Sequence, residues 1–221
     1  MNISIVSWLV LAISTISIFS YVAGASAPVR CRGVDQRSLL LKLRNSLVFN
    51  ASVSSKLVQW DQSVDSWSNV TCEDDLVVGF DLSNESISDG IDGSSSLLRL
   101  ELLRRLNLAF NGFNYLPIPS GLANLSRLTH LDLSYAGFAG QIPAGLSCLT
   151  KLRTLDLTSG RDYYPALLFL GQPSLSLLIG DLRELRELYL DGVDVSAEGS
   201  EWCDALTSSV SKLEVLSMSY C

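Results

Sequence analysis

Leucines recur along this chain in one short phrase, L-x-x-L-x-L. It occurs at Leu103-Leu106-Leu108, Leu128-Leu131-Leu133, Leu152-Leu155-Leu157, Leu185-Leu188-Leu190 and, with methionine last, Leu213-Leu216-Met218. A degenerate earlier copy is Val77-Phe80-Leu82. Measured between second positions, successive copies lie 26, 25, 24, 33 and 28 residues apart. Within each phrase apolar and polar positions alternate. This predicts a short half-buried strand, because successive strand side chains point to opposite faces. One such strand cannot bury its own leucines, so the copies must stack. Stacking sets the strands about 4.8 Å apart as a parallel sheet on the concave side of a curved solenoid.

The period is that of a leucine-rich repeat. The predicted class is therefore an α/β solenoid, a leucine-rich-repeat horseshoe with its parallel sheet on the concave face. The fullest copy runs from Leu128 to Leu149, where Gly140 and Pro143 shape the bend after the strand and Leu146 and Leu149 return under the convex side. The copy at Leu103 carries Asn111, Phe113, Ile118, Pro119, Leu122 and Leu125 at matching positions. Alternation turns Gly79, Asp81, Ser83; Arg105, Asn107, Ala109; His130, Asp132, Ser134; Thr154, Asp156, Thr158; Glu187, Tyr189, Asp191; and Val215, Ser217, Ser219 outward. The candidate ligand-binding set from this face is Asp81, Arg105, Asn107, His130, Asp132, Ser134, Asp156, Thr158, Glu187, Tyr189, Asp191 and Ser217. Its middle column, Asp81, Asn107, Asp132, Asp156, Tyr189, Ser217, suits hydrogen bonding to a peptide, a glycan or a basic surface. The longest interval exceeds the shortest by about nine residues (33 minus 24), placed around Ser159 to Ser174. Tyr163, Tyr164, Pro165 and Phe169 in it are either exposed anchors for a partner or part of an irregular loop on the apolar run Ala166 to Leu170.

Ahead of the repeats, Leu39, Leu40, Leu43 and Leu47 share one helical stripe, with Asp35 as N-cap. Such a helix would close the open end of the solenoid. Earlier still, Ile3 to Ala27 is apolar with interspersed serines and Arg30 is the first charged residue, the texture of a secretory leader. Ala23-Gly24-Ala25 supplies a small-residue cleavage pattern, and the same stretch is also just long enough to act as a signal anchor. The expected organisation is a signal peptide at 1–25, a cap at 26–75 and about six repeats at 76–221, the last incomplete. Four Asn-x-Ser/Thr sequons, at Asn50, Asn69, Asn84 and Asn124, agree with export.

Composition narrows the chemistry. With 48 % hydrophobic residues the chain can bury a sizeable core, and its formal charge of −7 excludes a wide basic patch for nucleic acid. The single histidine, His130, shares a strand face with Asp132 and Ser134. A catalytic triad needs histidine in the middle, whereas here serine lies four residues from histidine, about 13 Å along a strand. No phosphate-binding loop, dinucleotide fingerprint, nucleophile elbow or HExxH is present. The five cysteines, Cys31, Cys72, Cys148, Cys203 and Cys221, follow no zinc spacing. The expectation is a non-enzyme with no metal and no cofactor.

The G-x-I-P segment, as in Gly140-Gln141-Ile142-Pro143, resembles the plant-specific class of leucine-rich repeat. The family's asparagine at the strand exit survives only as Asn111. Glu85, Ala136, Gly160, Val193 and Cys221 stand in its place elsewhere. Cys31, the run Asp35 to Leu43, Trp60, Trp67 and Val70-Thr71-Cys72 resemble the amino-terminal cap of plant receptor-like kinases and receptor-like proteins. Phrases such as Leu106-Asn107-Leu108-Ala109-Phe110-Asn111 and Glu184-Leu185-Arg186-Glu187-Leu188-Tyr189-Leu190-Asp191 are similar to receptor-like proteins of the disease-resistance class, including those against vascular wilt fungi. The resemblance implies an extracellular recognition region for a peptide, protein or glycan, with a co-receptor kinase as partner, at the cell surface of a plant. In the family cap, Cys31 and Cys72 would each pair with an adjacent middle cysteine. Here that stretch is Val64-Asp65-Ser66-Trp67, which holds neither middle cysteine, so Cys31 and Cys72 either bridge to each other, if their Cα atoms lie within about 7 Å, or stay apart. Family members usually continue through more repeats to a membrane helix, whereas this chain is expected to stop inside a repeat at Cys221. A secreted inhibitor of a microbial wall-degrading enzyme and a truncated product without independent function remain the alternatives.

Overall fold

The computed structural model describes residues 34–60, 67, 69–160, 167–171, 174–195, 206 and 209–219. The expected leader, Cys31, Cys203 and Cys221 lie outside them, as do Tyr163, Tyr164 and Pro165. The strands are β1 (Val48–Phe49), β2 (Val70–Glu73), β3 (Leu76–Asp81), β4 (Ile87–Asp89), β5 (Arg105–Asn107), β6 (His130–Asp132), β7 (Gly140–Gln141), β8 (Thr154–Asp156), β9 (Leu168–Phe169), β10 (Glu187–Tyr189) and β11 (Val215–Ser217); the α-helices are α1 (Val34–Ser46) and α2 (Leu175–Ile179).

The principal sheet has the order β11-β10-β8-β6-β5-β3-β2, parallel from β3 to β11. Its register is that of the repeat: Phe80, Leu106, Leu131, Leu155, Leu188 and Leu216 stand opposite one another in turn. Each repeat thus contributes one rung, and the leucines of each rung are buried by the rungs on either side. On the other side, short 3-10 turns at Ser96–Arg99, Ser120–Asn124 and Ala144–Cys148 carry Leu97, Leu122 and Leu146 into the core. Between sheet and turns, Phe113 and Phe138 from adjacent repeats stack at 4.3 Å, nearly parallel.

The cap is more intimately joined to the sheet than the leucine pattern predicts. Its last segment, β2, pairs antiparallel with β3 and forms the sheet's edge. The helix α1 buries Leu40 and Leu43, followed by Leu47 just past its end, as the stripe requires; it begins at Val34, so Asp35 lies in its first turn rather than at the N-cap. Gly90 makes the crossing of the first repeat over the helix terminus feasible. Its φ is +98°, and a Cβ there would lie 2.2 Å from the Ser46 carbonyl oxygen, a position open only to glycine. Cys72 is buried and disulfide-bonded.

The insertion in the long interval is partly ordered structure. β9 pairs in parallel with β7, Phe169 bridges to Asp194, and Leu168 and Leu170 are buried beneath. A small second sheet therefore runs along the flank where sequence reading offers an irregular loop, and it leaves Phe169 exposed.

Two residues at the strand-exit position hold neighbouring segments together. Asn111 accepts from the backbone N–H groups of Glu85 (3.2 Å) and Ile87 (3.0 Å) and donates to the carbonyls of Leu82 and Leu108 (both 2.8 Å). Glu85, one repeat earlier, is fully buried and faces the cap instead. Its carboxylate accepts from the Ser54 and Ser55 hydroxyls (2.5 and 3.1 Å) and from the backbone N–H groups of Lys56 and Leu57 (3.0 and 3.1 Å). Burying a carboxylate is tolerable only when it is this fully hydrogen-bonded. Glu85→Ala leaves four donors without their acceptor and is expected to lower stability by about 3 kcal/mol or more. Urea unfolding checks this, and a loss below about 1 kcal/mol would show that the cap does not depend on this carboxylate.

Candidate functional site

The parallel register places the sequence-derived columns as expected. Asp81, Asn107, Asp132, Asp156, Tyr189 and Ser217 form one row across the concave face, and Gly79, Arg105, His130, Thr154, Glu187 and Val215 form the next. Lys56, Thr71, Arg105, Asn107, His130 and Asp132 line a shallow depression of about 560 Å³ at the cap end of this face.

The third predicted row is different. Ala109, Ser134 and Thr158, expected outward from alternation, are buried. The strands end two residues before them and the chain turns, so period-two alternation no longer applies. The turn is made by the middle column itself: a side-chain oxygen of Asp81, Asn107, Asp132 and Asp156 accepts from the backbone N–H two residues on, at Ser83, Ala109, Ser134 and Thr158 (2.9–3.0 Å). This Asx geometry closes each strand exit. Ser83 and Ser134 add hydroxyl bonds to the same aspartates (2.6 and 2.7 Å). Ser134 and Thr158 are therefore buried supports of the aspartates rather than part of the exposed face.

Farther along, Asp191 takes the supporting role across repeats, accepting from the Ser217 hydroxyl (2.6 Å) and the Ser219 backbone N–H (2.5 Å). Thr154 donates to Glu187 at 3.3 Å. Tyr189 stands in the row between Asp156 and Ser217.

Charge is unevenly distributed over the face. At the cap end Lys56 pairs with Asp81 (3.0 Å). Burial is the largest influence on Asp81 and pushes its carboxyl up, but the Ser83 and Lys56 hydrogen bonds together outweigh it and hold the group below its ordinary value. In the centre no ion pair to Asp132 or Asp156 is found among the described residues: burial, with the Asp132 and Asp191 charges nearby, raises the Asp156 carboxyl above its ordinary value against the opposing Thr158 bonds. Burial also pushes the His130 imidazole down, helped by Arg105 and Arg153 and opposed by Glu187. His130 Nδ1 is 2.8 Å from the Thr129 hydroxyl, and the Ser134 hydroxyl is committed to Asp132. The three residues that suggest a triad in the sequence form no proton relay. Among the described residues no group of His, Cys, Asp and Glu could hold a metal.

Sequence reasoning misses two features: the buried Glu85 anchor, and an exposed aromatic pair, Phe110 and Tyr135, on the flank where the strands exit. The first carries no motif. The second is visible only as two aromatics at the same place in successive repeats.

A leucine-rich-repeat family model matches residues 127–149, the fullest turn. Receptor-like protein 6 of Arabidopsis thaliana is 34 % identical over 182 residues, covering 74 % of this chain and 18 % of that protein. Receptor-like protein 7 of the same plant is 37 % identical over 171 residues, covering 74 % and 17 %. The chain thus spans less than a fifth of the length of these curated relatives. Among solved structures it is similar to PEPR1–AtPEP1, at 28 % identity and a TM-score of 0.55, covering 72 % of this chain and 21 % of that one. Repeat, cap and relatives agree, and the chain belongs to the leucine-rich-repeat receptor-like proteins of plants.

Proposed function

We propose that this chain is the exported ligand-recognition region of a plant receptor-like protein in defence signalling, and that its concave face receives a peptide or protein ligand through basic groups. The observation that carries the reading is the central acidic row. Asp132 and Asp156 stand opposite each other on adjacent strands, Glu187 follows on the next strand in the neighbouring row, and among the described residues no cation hydrogen-bonds or ion-pairs with the three, at the centre of a sheet already organised by the fold. Charge left uncompensated and partly desolvated in a concave face is a cost that a cationic ligand would remove. A membrane-associated co-receptor kinase is the partner that the family resemblance supplies, and the resemblance also carries the defence role.

Export places the sequons before the glycosylation machinery. Asn50, Asn84 and Asn124 are exposed, whereas Asn69 is buried and its side-chain carbonyl accepts from Trp60 Nε1 at 2.9 Å. Expression in plant cells should yield a chain lacking residues 1–25 and glycosylated at Asn50, Asn84 and Asn124 but not at Asn69. Peptide mass mapping reads this directly, and an unprocessed intracellular chain contradicts export.

For recognition, lysine- and arginine-rich synthetic peptides should be retained in preference to acidic ones of equal length, with retention falling as salt is raised. Asp132→Asn combined with Asp156→Asn should weaken that retention about tenfold. Equal retention of basic and acidic peptides, or indifference to the double substitution, would sink the assignment of ligand chemistry.

The same row predicts a stability trade-off. Because the folded-state pKa of Asp156 is raised, its charged form disfavours folding at neutral pH. Asp156→Asn should therefore raise the melting temperature at pH 7. The gain should shrink as pH falls through the raised value and vanish below the ordinary 3.8, where the wild-type carboxyl is protonated in both states. A melting temperature unchanged or lowered at pH 7 contradicts it.

A further inference from the structure

On the flank where the strands exit, the residue two positions after the rung's last leucine holds a left-handed backbone on four of the rungs, though not at Ser159. It is Asn84 (φ 57°), Phe110 (φ 54°), Tyr135 (φ 50°) and, farther on, Gly192 (φ 74°). Asparagine and glycine accept this conformation readily; bulky aromatics rarely do, and such outliers concentrate where they serve a purpose. Equal backbone geometry on consecutive rungs also directs the side chains alike. Asn84 N–H donates to the Ala109 carbonyl (2.9 Å) and Phe110 N–H to the Ser134 carbonyl (2.9 Å), so the three positions stand one above the next. Phe110 and Tyr135 stack with centroids 5.2 Å apart and planes 11° from parallel, close to the rung spacing. Both remain exposed, at 58 % and 44 %. One face of Phe110 is covered by Tyr135; the other is turned toward the repeat that carries Asn84.

Asn84 opens the sequon Asn84-Glu85-Ser86 and is itself exposed. Its amide, projecting from the next rung in the same direction as the ring, sets the first sugar of an attached glycan over the uncovered face of Phe110. We infer that the Phe110–Tyr135 stack is a docking platform for the protein's own N-linked glycan at Asn84. The occupant has the right chemistry: a neutral pyranose presents a face of C–H groups to the ring while its hydroxyls stay in water, so an exposed aromatic face is covered without burying a charge. In the attachment step, Asn84 Nδ2 bonds to the anomeric carbon of an oligosaccharide carried on a lipid diphosphate. The bond from that carbon to the diphosphate oxygen breaks, the lipid diphosphate leaves with the bonding pair, and the amide gives up one proton to the medium. The inference rests on the export proposed above. Docked there, the glycan would stiffen the junction between cap and repeats, because Glu85, the next residue, is the one that binds the cap.

The test uses the secreted, glycosylated chain, with Ser86→Ala to remove the sequon without altering Asn84 and Phe110→Asn to remove the ring while keeping a residue suited to the left-handed backbone. In the wild type, NMR should show the first sugar at Asn84 shifted upfield by the ring current relative to the sugars at Asn50 and Asn124, and Phe110→Asn should abolish the difference. Ser86→Ala should lower the melting temperature by about 2–4 °C in the wild-type background and leave it unchanged in Phe110→Asn. An Asn84 sugar with the same shifts as the others, equal melting losses in both backgrounds, or an unoccupied Asn84 beside occupied Asn50 and Asn124 overturns the platform alone. Absence of sugar from all three sites overturns export and the platform together.

Discussion

A leucine rung in this molecule is buried only by the rungs beside it. Leu131, Leu155 and Leu188 each lie between two neighbours and are fully buried, whereas Leu216, with a neighbour described on one side only, is 42 % exposed. Nothing within a single repeat could do this, since one turn contributes a strand of three residues and a short 3-10 turn. Stability is therefore a sum over interfaces between neighbours. Register is strictly enforced, because a slip of one residue would turn every leucine to the solvent.

That constraint explains what becomes of the polar groups. A strand of three residues has barely left the previous turn before it must enter the next, so each exit needs a local hydrogen-bond closure. The middle column supplies it by turning one oxygen back onto the chain. Residues chosen for the turn also face the concave side, and the acidic row is thus both a structural device and the surface that the proposed function gives to a ligand. Ser134 and Thr158 belong to the first role alone. At the cap, the usual lateral asparagine is replaced by Glu85, whose second oxygen lets one side chain serve two hydroxyls and two backbone donors. The substitution that breaks an asparagine ladder on paper thus exchanges repeat-to-repeat bonding for repeat-to-cap bonding.

The concave face and the exit flank differ in character. The concave face is charged and divided, with Lys56 and Arg105 toward the cap and carboxylates in the centre. The flank presents aromatic rings whose backbone conformation is costly for residues of their size. The first is the surface proposed for a cationic ligand; the second is the one proposed for the chain's own glycan. Both surfaces follow from the same repeat geometry, read at two positions a few residues apart.

Most of the architecture was legible in the chain itself. A six-position leucine phrase at a near-constant period specifies strand, stacking, parallel register and concave face, because alternation and repetition are properties of sequence order. Asp81 through Ser217 fall in one row for that reason. Other outcomes depended on contacts between residues far apart in the chain. Glu85 is read as a gap in a ladder until the segment of Ser54 to Leu57 is seen folded over it. Ser134 and Thr158 read as outward until the turn ends their strands. The insertion reads as a loop until β9 meets β7. Phe110 and Tyr135, 25 residues apart, become a pair only when their rungs stack. Period and alternation act locally and need no partner, whereas hydrogen-bond satisfaction and ring stacking are settled by whatever the folded chain brings alongside.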